Sequence, residues 1–386
     1  MKKIVVKFIR FSSTSFGFRL VLNILMWPQK SGFSPAMNLD SRSRYKMPKK
    51  FRERWGLKIA KFMTTSHEID HSLREILYSQ EEIDAQARRC FDKYGVFPIS
   101  FSYPKNALVY HEATPRKHAF SSIIPGEAYA FANSDDYYQS YAESSFALTH
   151  KKIGWDCFRH VEIMSQGTVP IMPDVDFIPD CTMVHYPKEF FRLALNSFSE
   201  GLIPSQSVHS SISKWTQEHL TSISMAKYII RMAEIEPKKI LFIDQVLPSS
   251  PDYLSCMTLI GLKQLFGSAV HVAFQVDYIY EDYEKNTSSL YGKGFGYTKV
   301  LPRELKDSNI PTTELNYLLK NGEFFKEFDL VVIGSVSRNE VFCDLLDQTV
   351  MPGDKLYIWG DDRPRSRKEL RKIVSIDGFK FIREIY

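Results

Sequence analysis

Residues 144–187 read SSFALTHKKIGWDCFRHVEIMSQGTVPIMPDVDFIPDCTMVHYP, and the spacing of apolar runs, cations and glycine in them sets the class of the chain. Phe146 to Thr149 is a short apolar run of the kind that forms a parallel strand covered on both faces. Lys151, Lys152 and Gly154 then form a cationic turn at the strand's carboxyl end, where open α/β sheets bind ligands. Asp156 is placed to cap a helix, and Phe158, Val161, Ile163 and Met164 supply its apolar stripe. The spacing predicts a helix over 156–166, closed by Gly167, and a second buried strand over 168–172, stopped by Pro173 and Asp174. Arg159 and Glu162, three apart, share one helix face, one to meet phosphate and the other to accept from a ribose hydroxyl.

Around this segment the chain alternates helices and strands. Ile69, Leu73, Ile76, Leu77 and Ile83 recur at helical spacing over 66–94, with Gly95 to end the helix. Strands are expected near 98–110, leading into His111 and Glu112, and over 123–127, followed by a short helix over 135–142. Residues 196–236 carry a helical pattern without strand signals. After Pro237, the runs KILFID (239–244), DLVVIG (329–334) and KLYIWG (355–360) read as strands of a second Rossmann-like sheet, with a helix over 253–266 closed by Gly267. The expected organisation is therefore α/β with two Rossmann-like domains: a basic amino-terminal region (1–65), a nucleotide-sugar domain (66–195), a helical linker (196–236) and a second domain (237–386).

The order of basic turn, D-x-x-R-x-x-E helix, G-x-x-P and strand resembles the nucleotide-sugar half of GT-B glycosyltransferases. It is closest in pattern to the exostosin-like group, with its run S-F-R-x-x-E-A-x-x-x-G-x-x-P-V-I. Asp156, Phe158, Arg159, Glu162, Gly167, Pro170 and Ile171 stand at matching positions; Cys157 replaces the usual serine and Ile163 the usual alanine. The resemblance covers about a tenth of the chain. It implies a glycosyltransferase that moves a sugar from a nucleotide-sugar donor to a glycan or glycolipid acceptor without a bound metal or other cofactor. The alternative is a catalytically silent protein that binds nucleotide-sugar or glycan. Most GT-B enzymes carry the donor unit second, so here the domains are permuted or the basic amino-terminal region completes the first one.

On this resemblance Lys151, Lys152, Gly154, Asp156, Arg159, His160 and Glu162 form the donor site. The cations neutralise the diphosphate leaving group together with a helix amino terminus. Candidates for the base that takes the acceptor's proton are Asp244, which ends the opening strand of the second domain, then His111 and Glu112, then Asp361 and Asp362. The loop LYGKGFGYT (290–298) lacks the spacing of a phosphate loop. Its Gly292, Lys293 and Gly294 would admit close backbone approach to a substrate, or make a glycine-rich hairpin. Gly334 and Ser335 open a helix after a strand and offer N–H groups to an anion. The triplet Asp174, Val175, Asp176 is a weak metal motif, and no metal site is expected.

The chain's net charge of +5 is uneven. Residues 1–61 hold fifteen Lys or Arg against Asp40 and Glu53, so this end carries +13 and the remainder −8. The apolar run over 16–27 is broken by Arg19 and falls short of the about 20 residues that span a bilayer. No small-residue cleavage site follows it. Residues 42–61 interleave nine cations with Tyr45, Phe51, Trp55 and Leu57, as in an element drawn to anionic lipid or a solvated basic cover; nucleic acid is not the expected partner. The five cysteines form no CxxC pair, which reads as reduced thiols without structural zinc. A cytoplasmic protein, peripheral at the inner membrane face, is the expectation.

Overall fold

The computed structural model describes residues 73, 76–107, 114–125, 131, 133–152, 154–199, 201–307, 324–348, 354–360 and 367–385. The basic region 1–65 lies outside the described residues, as do His111, Glu112, Asp361 and Asp362. The chain divides into two compact units, one of residues 1–79, 110–178 and 186–216, the other of 80–109, 179–185 and 217–386. Residues 80–109 thus fall to the second unit, and the stretch 196–236 is divided after residue 216 instead of standing alone as a linker.

Helix α1 (Gln80–Tyr94) and strand β1 (Phe97–Pro98) open the second unit. Gly95, at φ +69°, ends α1 as the sequence anticipates. The first unit then contributes β2 (His118–Phe120), α2 (Ser134–Ala142), β3 (Ser144–Leu148), α3 (Phe158–Ser165), β4 (Val169–Ile171) and α4 (Lys188–Ser199). Helix α5 (Gln206–His219) runs across the division. The strands of the first unit form a parallel sheet in the order β2-β3-β4, with Phe146 opposite Val169 and Leu148 opposite Ile171. All five residues of β3 are buried, the pattern of a strand covered on both faces. Of the strand anticipated at 123–127, the described residues 123–125 are not in a strand; β2 lies at 118–120 and is mostly exposed, so it carries no apolar signal.

Arg116 fastens this small sheet. Its Nη1 donates to the carbonyls of Ala142 at 2.5 Å and Ser144 at 3.1 Å, and to Thr168 Oγ1 at 3.3 Å, while Nη2 donates to the Gln166 carbonyl at 2.9 Å. One planar guanidinium therefore satisfies the ends of α2, β3 and α3 together.

The second unit continues through α6 (Ser222–Ala233), β5 (Ile240–Ile243), α7 (Tyr253–Phe266), β6 (Val270–Val272), β7 (Leu330–Ile333), α8 (Glu340–Gln348), β8 (Asp354–Ile358), α9 (Arg367–Ser375) and β9 (Phe379–Ile382). Its six strands are all parallel, in the order β1-β9-β8-β7-β5-β6. β5 (ILFI) and β7 (LVVI) are buried throughout, which is why both read as unbroken apolar runs. Setting β1 aside, β6-β5-β7-β8-β9 is the doubly wound order 2-1-3-4-5, which changes direction between β5 and β7. Helices α6 and α7 approach closely because Gly261 has no side chain: a methyl group there would strike the Ser222 carbonyl.

The cysteines correct the sequence reading. Cys90 on α1 and Cys181 are joined by a disulfide, while Cys157, Cys256 and Cys343 are free and buried. The bonded pair is 91 positions apart, so no local spacing announces it. The 179–185 segment is tied down further by Thr182, whose Oγ1 donates to the Ile385 carbonyl and accepts from its N–H, at 2.9 and 3.0 Å. Among the described residues no helix is long and apolar enough to cross a membrane.

Candidate functional site

The cationic turn forms where the sequence places it, at the carboxyl end of β3, closed by the Lys152 N–H donating to the Gly154 carbonyl at 3.0 Å. Helix α3 starts later than expected. Its cap is Cys157, which makes no side-chain capping bond, so Asp156 is not the cap; it is buried one residue ahead. The Cys157 thiol instead points back to the Gly154 carbonyl at 3.6 Å, holding the turn against the helix.

Arg159 and Glu162 do share a face, with one difference from expectation: Glu162 is buried, 6% exposed. The Tyr137 hydroxyl donates to its Oε2 at 2.9 Å and lies 3.3 Å from the Tyr141 hydroxyl. Burial raises the Glu162 carboxyl from 4.5 to about 7, against the opposing pull of Arg159, the Tyr137 bond and Lys152. The carboxyl is thus bonded to a tyrosine hydroxyl, and the positive charges of Arg159 and Lys152 favour its ionised form. Tyr137 and Tyr141 escape sequence reading; their only trace is the i, i+4 spacing on α2.

The other expected donor residues separate. Lys151 sits over the Trp155 ring, 4.5 Å from its centroid, and its N–H donates to Asp174 Oδ2 at 3.2 Å. His160 uses both ring nitrogens internally: Nδ1 accepts from Thr149 Oγ1 at 2.8 Å and Nε2 donates to the Trp155 carbonyl at 2.9 Å. It ties β3 to the turn and leaves no nitrogen for a sugar. Of the weak metal triplet, Asp174 is engaged with the turn and Asp176 pairs with Arg192 Nε at 2.8 Å.

In the second unit, Asp244 follows β5 as expected but is not placed to act as a base. Its Oδ1 accepts from the Val246 and Leu247 N–H groups, both at 3.2 Å, and from Asn339 Nδ2 at 3.0 Å; Oδ2 accepts from Ser255 Oγ at 2.6 Å. It is a buried organiser of the loop after β5. The Gly334 N–H is also engaged, donating to the Ile243 carbonyl at 3.0 Å, which removes it as an anion donor. The 290–298 loop is filled by its own unit: the Tyr253 hydroxyl lies against Gly292, and Thr298 with Thr287 against Gly294. The glycines there, with Lys293 at φ +58°, serve internal packing rather than approach to a substrate.

Two orphaned groups lie at the carboxyl edge of this sheet. The Ser335 hydroxyl after β7 and the Trp359 indole N–H after β8 are buried and have no hydrogen-bond partner among the described residues. Asp252, which caps α7 through a 2.9 Å bond from the Ser255 N–H, lies 3.6 Å from Arg338 Nη1. Local sequence contains no signal for this convergence, because its members are supplied by three separate loops, after β5, β7 and β8.

No protein-family model, no curated protein and no solved structure matches the chain.

Proposed function

We propose that the protein is a glycosyltransferase of GT-B organisation whose first unit binds a nucleotide-sugar. The reading is carried by the β3–turn–α3–β4 segment, in which Arg159 and Lys152 act on the Glu162 carboxyl beyond the carboxyl end of a parallel strand. In the reaction, the acceptor hydroxyl oxygen bonds to the anomeric carbon as the bond from that carbon to the nucleotide's diphosphate breaks. The acceptor's proton passes to a base, and the cations of the turn and helix offset the charge gathering on the leaving diphosphate. The acceptor is a glycan or glycolipid, and the basic amino-terminal region would hold the enzyme at an anionic membrane surface. A reduced, cytoplasmic setting is not carried into this reading, because a disulfide persists in an oxidising compartment.

The test is a thermal-shift screen of the full chain against UDP-, GDP-, CMP- and dTDP-sugars, with and without divalent metal. A nucleotide that binds only the folded state raises the midpoint. One nucleotide is expected to do so without metal, and Arg159→Ala to abolish the rise. No rise with any nucleotide would overturn the reading, and binding without transfer to any acceptor would leave a binding protein.

Glu162 also predicts a pH dependence that needs no ligand. The folded state holds this proton to a higher pH than the unfolded chain does, so its stabilising contribution is complete below about pH 4.5 and declines as pH rises through 7. The full decline amounts to about 3 kcal/mol. Glu162→Gln should flatten the change in urea midpoint between pH 5 and 8; an equally steep profile in the variant would assign the dependence to other groups. Because the position is buried, Glu162→Ala is the poorer probe: it would remove the acceptor of the Tyr137 hydroxyl and disturb the fold as well as binding.

A further inference from the structure

We propose that the cavity between α8 and α9 binds a compact organic ammonium ion that carries a hydroxyl group. The site lies within the second unit, and the inference goes beyond the nucleotide-sugar reading of the first without depending on it.

Its position follows from the strand order. β7, β8 and β9 lie side by side and parallel. The crossovers between them advance in the same direction, and right-handed crossovers that do so carry their helices on one face of the sheet. Helices α8 and α9 are those crossovers, so they flank one strip of it. Between them is a cavity of about 140 Å³, a size that a benzene ring fills. Its floor is apolar: Val336 after β7, Cys343 on α8, Trp359 after β8 and Ile373 on α9 are all buried and belong to the core of this unit.

The rim is charged and uneven. Glu340, Asp344 and Asp347 share one face of α8, at i, i+4 and i+7, and all three border the cavity. Lys372 on α9 is the one cation of the lining, so three carboxylates stand against one ammonium. All four side chains are exposed, and the carboxylates form no ion pair among the described residues. Their combined field reaches the Cys343 thiol on the floor: burial pushes it up to about 12, Asp347, Asp344 and Glu340 add to the rise, and Lys372 opposes them. Trp359 is an independent sign. It lines the cavity, is 5% exposed, and its indole N–H bonds to nothing among the described residues, although a buried indole ordinarily finds an acceptor.

The chemistry of this set selects the occupant. The carboxylates attract a positive charge, and an indole ring favours a cation near its face. The unspent indole donor calls for an oxygen on the same molecule. An anion would meet three carboxylates against a single ammonium. A metal ion would need convergent donors, and among the described residues no group of three or more His, Cys, Asp or Glu side chains could hold one. The carboxylates instead spread over about 10 Å of helix, which suits a diffuse organic charge. The volume admits a molecule the size of choline and not a nucleotide.

The experiment titrates the full chain with choline by NMR, with tetramethylammonium, acetate and magnesium chloride as comparisons at constant ionic strength. Choline is expected to bind about fivefold more tightly than tetramethylammonium, which has no oxygen for the indole N–H. Asp344→Asn combined with Asp347→Asn should weaken choline binding about tenfold, the effect of two charge contacts at an exposed rim. The melting midpoint of that variant should stay at the parent value, because both side chains are exposed. In protein carrying nitrogen-labelled tryptophan, the Trp359 indole signal, assigned by its loss in Trp359→Phe, should move with choline more than those of Trp155 and Trp215. No choline binding, binding indifferent to the double substitution, or a Trp359 signal that stays in place would each overturn the proposal. Equal binding of tetramethylammonium would overturn it by removing the hydroxyl, and acetate binding as tight as choline would turn the cavity into an anion site. Displacement of choline by magnesium would assign the rim to a metal ion instead. Failure of the nucleotide screen with choline binding intact would remove the donor reading and leave this one standing.

Discussion

Replacing Arg116 by alanine is expected to lower the stability of the first unit by about 4 kcal/mol, since several buried acceptors lose a charged donor at once. Those acceptors are the Ala142, Ser144 and Gln166 carbonyls and Thr168 Oγ1. They belong to the end of α2, the start of β3 and the turn into β4, so the loss is not confined to one element. The site is partly buried, and that burial pushes the guanidinium down to about 10. Gly167 packs against the same guanidinium, so a methyl group there would lie 2.9 Å from Arg116 Nη2. Arg116→Lys should recover only part of the loss, because an ammonium cannot reproduce the planar fork. Urea unfolding followed by tyrosine and tryptophan fluorescence would measure it. A midpoint within error of the parent would show that the carbonyls find other donors.

Loss of the disulfide is the second large effect. The bond closes a loop of 91 residues, for which chain entropy gives a stabilisation of about 4–5 kcal/mol. The loop contains all of residues 110–178, the main excursion of the chain into the first unit, yet both cysteines sit in the core of the second. Reduction should therefore lower the urea midpoint of the second unit, and Cys90→Ser with Cys181→Ser should reproduce the reduced value. The remaining cysteines are free, so a reductant acts on this bond alone among the described residues. Equal midpoints with and without reductant would show that the thiols are unpaired in solution.

Much of the fold was legible because burial on both faces leaves a local record. KILFID and DLVVIG contain the strands expected of them, at 240–243 and 330–333, and the strand of KLYIWG begins one residue before it, at 354–358. Helix α7 spans the expected 253–266 and is closed by Gly267. The failures have equally local causes. β2 is an exposed three-residue strand and pairs in the sheet through its backbone, so no apolar pattern could reveal it.

The candidate site divides along the same line. Arg159 and Glu162 were readable as a pair because helical periodicity alone puts them on one face. Periodicity says nothing about which face is buried, and that decided Glu162: the tyrosines of α2 cover it and raise its carboxyl to about 7. His160 looks available in sequence and is not, because Thr149 and Trp155 take both nitrogens. Asp244 looks like a base at a strand end and is instead held by four hydrogen bonds.

By itself, then, the amino-acid sequence determined the α/β class, most strands and helices and the cationic turn, all properties of neighbouring residues. Only the tertiary structure decided the strand order, the Cys90–Cys181 bond, the Arg116 fastening and the convergence of Asp252, Ser335, Arg338 and Trp359. Those depend on groups brought together from distant parts of the chain by packing, and hydrogen bonding and burial act over a few ångströms of space whatever the separation in sequence.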